Sequence, residues 1–194
     1  MKLFQTLIII IFCLQSWSKA DDIKDFEIEG MSVGDSLLTH YNKEQIQSAY
    51  ENASYYKDNI FAVIFVEKDS INYDRIQVTL KPNDRNHKIF ALEGIIDFDK
   101  KIDECNKQKN IIIQDLEQVL SNSNRIDDDG PYSPDLSGKS FSYMSWFFLD
   151  SGGFFSVSCR KMGKEVREKH GWTDELSISA TTKEMENFLR GNPY

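Results

Sequence analysis

Ile89-Phe90-Ala91-Leu92-Glu93-Gly94-Ile95-Ile96-Asp97-Phe98 reads as an apolar strand, and the chain then changes period within a single residue. From Asp99 to Leu120, the residues Ile102, Cys105, Ile112, Ile113, Leu116, Val119 and Leu120 fall three, four or seven apart and share one helical face. Lys100, Lys107, Gln114 and Gln118 take the other face, while Asp99 is placed to cap the N-terminus and suits the helix dipole. A helix with so broad an apolar stripe has to lie on something, and the strands on either side of it supply the surface. The class that follows is α+β, an antiparallel sheet with helices packed on one face.

Working upstream, Ile60-Phe61-Ala62-Val63-Ile64-Phe65-Val66 is apolar throughout, as expected of a central strand covered on both faces. Ile76, Val78 and Leu80 alternate with Arg75, Gln77 and Thr79, the pattern of a strand with one wet face. Polar turns at 67–72 and 81–84 complete a meander. Earlier still, Ser32 with Asp35 and Asn42 with Gln45 are capping-box pairs that predict two short helices.

Downstream, residues 121–140 are rich in Ser, Asn, Asp, Gly and Pro and predict a long surface loop. Phe141 to Leu149 and Phe154 to Arg160 flank Asp150-Ser151-Gly152-Gly153, a hairpin signal. Residues 163–171 bracket a short charged helix or turn, and Leu176, Ile178 and Ala180 alternate with serines as a last strand. Thr181 with Glu184 predicts a cap for a final helix carrying Met185, Phe188 and Leu189, stopped by Gly191 and Pro193. Two segments, 26–98 and 99–194, share a helix-then-strands order, so a tandem αβββ arrangement stands beside the single continuous sheet.

The N-terminus reads as a secretory signal peptide over residues 1–20, with Lys2 as the positive region, Leu7 to Leu14 as the apolar run and Ser18-Lys19-Ala20 as the cleavage site. The run is too short to span a bilayer, which needs about 20 residues. The expected product is one exported α+β domain over residues 21–194, periplasmic or secreted, with no stable membrane insertion. Losing Lys2 and Lys19 leaves 21 basic against 31 acidic residues. So acidic a chain argues against nucleic acid or an anionic membrane as partner. Cys105 lies on the helix stripe and Cys159 on the apolar side of its strand, so the pair is expected to form a disulfide in an oxidising compartment.

Several motifs fail on inspection. Ser137-Gly138-Lys139-Ser140 has Ser133 where a P-loop needs its first glycine, and a strand follows it. Asp127-Asp128-Asp129-Gly130 has Arg125 and Leu136 at the first and last ligand positions of a calcium loop. His40, His87 and His170 stand far apart, and no serine sits in a nucleophile elbow. No metal, cofactor or catalytic residue is therefore assigned. Asn52-Ala53-Ser54 fits the glycosylation triplet. The aromatic excess of the second half singles out Tyr143, Trp146 and Trp172 as binding residues, with Tyr143 and Trp146 on opposite faces of one strand.

The segment Phe26-Glu27-Ile28-Glu29-Gly30-Met31-Ser32-Val33-Gly34-Asp35-Ser36-Leu37-Leu38, with Gly94 to Asp97 and Cys105 to Lys109, resembles small exported proteins of Pelagibacter-type marine bacteria. The Gly-Met-Ser segment followed by helices and three strands also resembles the outer-membrane assembly lipoprotein BamE and β-lactamase-inhibitor-like folds, without the lipobox cysteine. Neither resemblance implies a catalytic residue. The expectation is an exported, non-catalytic binding domain whose partner is another envelope or extracellular protein. The alternative is a secreted or periplasmic hydrolase with its site beside the 121–140 loop.

Overall fold

The computed structural model describes residues 22–67, 70–120 and 122–191. The signal-peptide segment, Pro193 and part of the 67–72 turn lie outside the described residues. One antiparallel sheet of eight strands organises the rest: β1 (Ser54–Tyr55), β2 (Ala62–Val66), β3 (Arg75–Leu80), β4 (Ala91–Asp97), β5 (Ser123–Pro131), β6 (Phe141–Leu149), β7 (Phe154–Lys161) and β8 (Glu175–Thr181). The strand order is β1-β2-β3-β4-β8-β7-β6-β5, so two four-stranded meanders meet edge to edge where β4 pairs antiparallel with β8. Four α-helices complete the α+β fold: α1 (Lys43–Tyr50), α2 (Ile102–Val119), α3 (Lys164–His170) and α4 (Lys183–Arg190).

Strand alternation divides the sheet into two unlike faces. Ile64, Val66, Ile76, Val78, Leu80, Leu92, Phe147, Phe155, Val157, Cys159, Leu176 and Ala180 are buried in one cluster on the face covered by α1 and α2. α1 lies over β2, and α2 lies over β7 and β8. From α2 the cluster takes Cys105, Ile112 and Ile113, and Cys105 is bonded to Cys159 with their Cα atoms 5.9 Å apart. Full burial of each aliphatic side chain contributes roughly 1.5–3 kcal/mol, so this face carries the fold. A second, smaller cluster joins Met185 of α4 to Phe61 and Phe90, with Phe61 rings 5.2 Å from Phe90 and 4.9 Å from Phe188.

Several local expectations are corrected. α2 opens at Ile102, not Asp99, because Asp99 and Lys100 take left-handed φ values of 36° and 61° to turn the chain off the sheet. Ser32 does accept its partner's reach, with Asp35 Oδ2 3.1 Å from its backbone N–H, but Gly34 at φ 94° stops a helix there. A 3-10 turn at Leu37–Thr39 replaces it. The Asn42 and Gln45 capping box forms as read. α4 is capped one residue later than expected: Thr182 Oγ1 accepts from Met185 N–H at 3.3 Å, while Thr181 remains in β8. β2 lies next to the short edge strand β1 rather than at the centre, which leaves Phe65 half exposed.

The largest correction falls on residues 121–140. Nearly half of that stretch is β5, a nine-residue edge strand paired with β6 from Ser123↔Leu149 to Pro131↔Phe141. An edge strand needs a partner for one side of its backbone and little apolar burial, so a polar sequence can form it. Its acidic side chains hold it in place: Asp129 Oδ1 accepts from Met144 N–H at 3.1 Å, and Asp127 Oδ1 accepts from the Ser145 hydroxyl at 2.6 Å. What remains is a tight turn from Tyr132 to Ser140 built around Asp135, whose carboxylate accepts from the backbone N–H groups of Ser137 and Ser140 at 2.9 and 2.8 Å. Ser140 then accepts from Gly163 N–H at 2.9 Å, tying the turn to the end of β7.

Candidate functional site

The sheet face turned away from α1 and α2 is the unusual one. Its central positions carry short hydroxyl side chains: Thr79 on β3, Ser156 and Ser158 on β7, and Ser177, Ser179 and Thr181 on β8. Toward β5 the surface becomes aromatic, with Met144 and Trp146 on β6 and Phe154 on β7. The Trp146 and Phe154 rings meet edge to face at 4.8 Å, and Phe148 stacks beyond Trp146 at 6.2 Å.

These residues line a groove of about 570 Å³. Asp128, Gly130 and Pro131 of β5 and Tyr132, Ser133 and Pro134 of the following turn form one wall. Met185 and Leu189 of α4 and Tyr56 form another. Gln77, Thr79, Ala91, Glu93, Ser156, Ser179 and Thr181 make the floor. The volume is that of a small-molecule site, commonly 300–1,000 Å³ with a few convergent polar groups.

A charge network fixes one end. Arg160 donates from Nη1 to Glu175 Oε1 at 2.8 Å and from Nη2 to Glu93 Oε1 at 2.6 Å. Arg75 Nη2 reaches Glu175 Oε2 at 2.7 Å and Asp97 Oδ1 at 2.5 Å. Ser177 adds its hydroxyl to Glu93 Oε1, and the Tyr132 ring sits 5.4 Å over the Arg160 guanidinium. Burial works against the Arg160 charge, but the fields of Glu93, Tyr132 and Glu175 outweigh it and hold the guanidinium protonated well above the ordinary arginine range.

Not every polar group here is satisfied within the protein. The Ser142 and Ser158 hydroxyls and Arg160 Nε are buried and have no hydrogen-bond partner among the described residues. Ser142 is 7% exposed, lines the groove and pairs across the sheet with Arg160. A buried group without a partner costs about 1–3 kcal/mol, so such a cluster in one place signals a function other than stability. Ser156 and Ser179, by contrast, bond to each other at 2.8 Å.

Of the aromatic residues read from the sequence, the structure brings only Trp146 into the groove. Tyr143 turns to the opposite face, packs against the main core and stands 5.0 Å from the Phe141 ring. Trp172 lies beyond α3 with its ring 5.2 Å from His170. Glu93, Arg160, Ser142, Ser156 and Ser179 were missed. Their one visible signal was the alternation of serine with apolar residues in both β7 and β8, which places a hydroxyl stripe on a single sheet face. The described residues lining the groove include no histidine and no cysteine. Among the described residues no three His, Cys, Asp or Glu side chains are grouped to hold a metal ion, and no helix is long and apolar enough to cross a membrane.

No protein-family model, no curated protein and no solved structure matches the chain.

Proposed function

We propose that the chain is a non-catalytic binding domain of an oxidising, extracytoplasmic compartment, and that the groove on the second sheet face is its binding site. The observation that carries this reading is the buried Ser142 hydroxyl, without a partner among the described residues, in the same groove of about 570 Å³ as the Trp146 and Phe154 rings. A fold selected for stability alone would place alanine there. The buried Cys105–Cys159 bridge supports the compartment, since such bonds persist where the surroundings are oxidising. A half-buried Trp146 inside a groove fits a small ligand better than the flat contact of an envelope-protein partner.

Of the serines lining the groove, Ser156 and Ser179 bond to each other and Ser142 pairs with no base among the described residues, which favours binding over hydrolysis. The test combines a thermal-shift screen of small polar compounds with a panel of chromogenic ester, phosphate and glycoside substrates. The binding reading expects compounds that raise the melting temperature of the wild type and have no such effect on Trp146→Ala. Turnover abolished by Asp128→Asn would instead establish a hydrolase at the same groove.

A further inference from the structure

Resting on the binding reading above, we infer that the groove takes a neutral, polyhydroxylated ring compound: a saccharide. Three properties of the lining lead there. The first is the donor and acceptor character of the floor. Thr79, Ser142, Ser156, Ser179 and Thr181 all present hydroxyls, and Gln77 presents an amide. Each of these both donates and accepts, so the matching ligand is one whose own groups do the same. A lipid chain would desolvate this floor without satisfying it, which opposes its binding.

The second property is charge. Arg160 is the only cation among the described residues lining the groove, and both its Nη atoms are committed to Glu93 and Glu175. Glu93 and Asp128 are the lining carboxylates, so the lining carries two negative charges against one positive, and the uncommitted Nε of Arg160 belongs to a guanidinium already flanked by Glu93 and Glu175. Carboxylates are good acceptors for the hydroxyl donors of a neutral sugar. The third property is the wall. The electron-rich face of an indole attracts the polarised C–H groups of a pyranose ring, and Trp146, braced by Phe148 and Phe154, is a rigid platform for one. A flat ring with hydroxyls at its edge can therefore lie against Trp146 while its edge reaches Ser156, the cross-strand neighbour of Trp146, and a second ring extends about 13 Å along the strand toward Ser142.

The experiment uses amide NMR on the full exported chain, which detects millimolar binding. The probes are a set of neutral mono-, di- and oligosaccharides, a set of sugar phosphates and uronic acids, short peptides, and vesicles of neutral phospholipid. The expected result is that a neutral saccharide shifts the Ser142, Ser156 and Ser179 resonances. Trp146→Ala should weaken that binding by about tenfold or more, while Trp172→Ala, outside the groove, leaves it unchanged. If Trp146→Ala does not fold, Asp128→Asn at the exposed rim serves instead, with a loss of about fivefold or more. Groove shifts produced only by anionic sugars, peptides or lipid would overturn the saccharide assignment and leave the binding reading standing. An absence of groove shifts with every probe class would overturn both.

Discussion

Arg160 shows how much can hang on one side chain. It is 14% exposed and neutralises Glu93 and Glu175, the latter 6% exposed. Arg160→Leu would leave Glu93 without its cation and Glu175 with Arg75 alone, and breaking a buried pair in this way costs about 3–5 kcal/mol. Urea denaturation at neutral pH should show that loss, and the double change Arg160→Leu with Glu93→Gln should recover part of it. A deficit equally large in the double variant would mean that lost packing, not charge, is the cause. This role was invisible in the sequence because Arg160 heads a run of basic residues through Lys169 that reads as a solvated face. Its partner Glu93 is 67 residues away and meets it only through the pairing of three strands. The cysteines were legible for the opposite reason: helix period and strand alternation each pointed one of them inward. Their bond closes a segment of 54 residues, for which chain entropy suggests about 4 kcal/mol. Reduction, or the double change Cys105→Ala and Cys159→Ala, should lower the unfolding free energy by that order in denaturant titrations.

At the scale of elements, β5 and its turn mark the limit of pattern reading. Hydrophobic period reports burial, and an edge strand with six consecutive exposed residues buries almost nothing. Only its ladder with β6 defines it, and a ladder leaves no trace in local composition. The turn that follows depends on Asp135, buried at 7% exposure and accepting from Ser137 and Ser140. The Ser140 hydroxyl, then the other Ser137 and Ser140 donors, hold this carboxyl far below its ordinary value of 3.8. A group with a depressed folded-state value contributes stability that is complete above the unfolded value and is lost as pH falls through the folded one. Asp135→Asn should therefore be less stable than wild type at pH 7, and the two denaturation midpoints should converge as pH drops below about 4. Because Tyr132, Ser133 and Pro134 belong to the groove wall, the same variant should also loosen that wall, seen as faster amide exchange at residues 132–140.

On the scale of the whole molecule, the sheet is two meanders joined along β4 and β8, and the main core crosses that seam without a break: Ile64 and Val78 from one side share it with Val157 and Leu176 from the other. The continuous sheet was legible from alternating strands and one dominant helix. The choice of β4 and β8 as the joining pair was not, since one read as an apolar strand and the other as a strand alternating with serines, and neither pattern names its neighbour. Gly94 sits on the seam, paired with Ile76 of β3 and Ile178 of β8. A Cβ built there would lie 2.4 Å from the Tyr73 ring, so the absence of a side chain is what lets Tyr73 pack against the sheet. That ring is partly buried against the core, and burial, followed by the field of Glu29, pushes its hydroxyl up to about 12. Gly94→Ala must displace the ring, and overpacking of this kind costs about 1–3 kcal/mol. If the seam makes one cooperative unit, the loss is felt by both meanders equally. Tryptophan fluorescence, from Trp146 and Trp172 in the second meander and its flank, should then shift its urea midpoint as much as the exchange-protected amides of β2 and β3 do. Trimming the ring with Tyr73→Leu should recover part of the loss in the double variant. A shift confined to the β2 and β3 amides, with the tryptophan midpoint unmoved, would show that the meanders unfold separately and that the seam is a contact between two units.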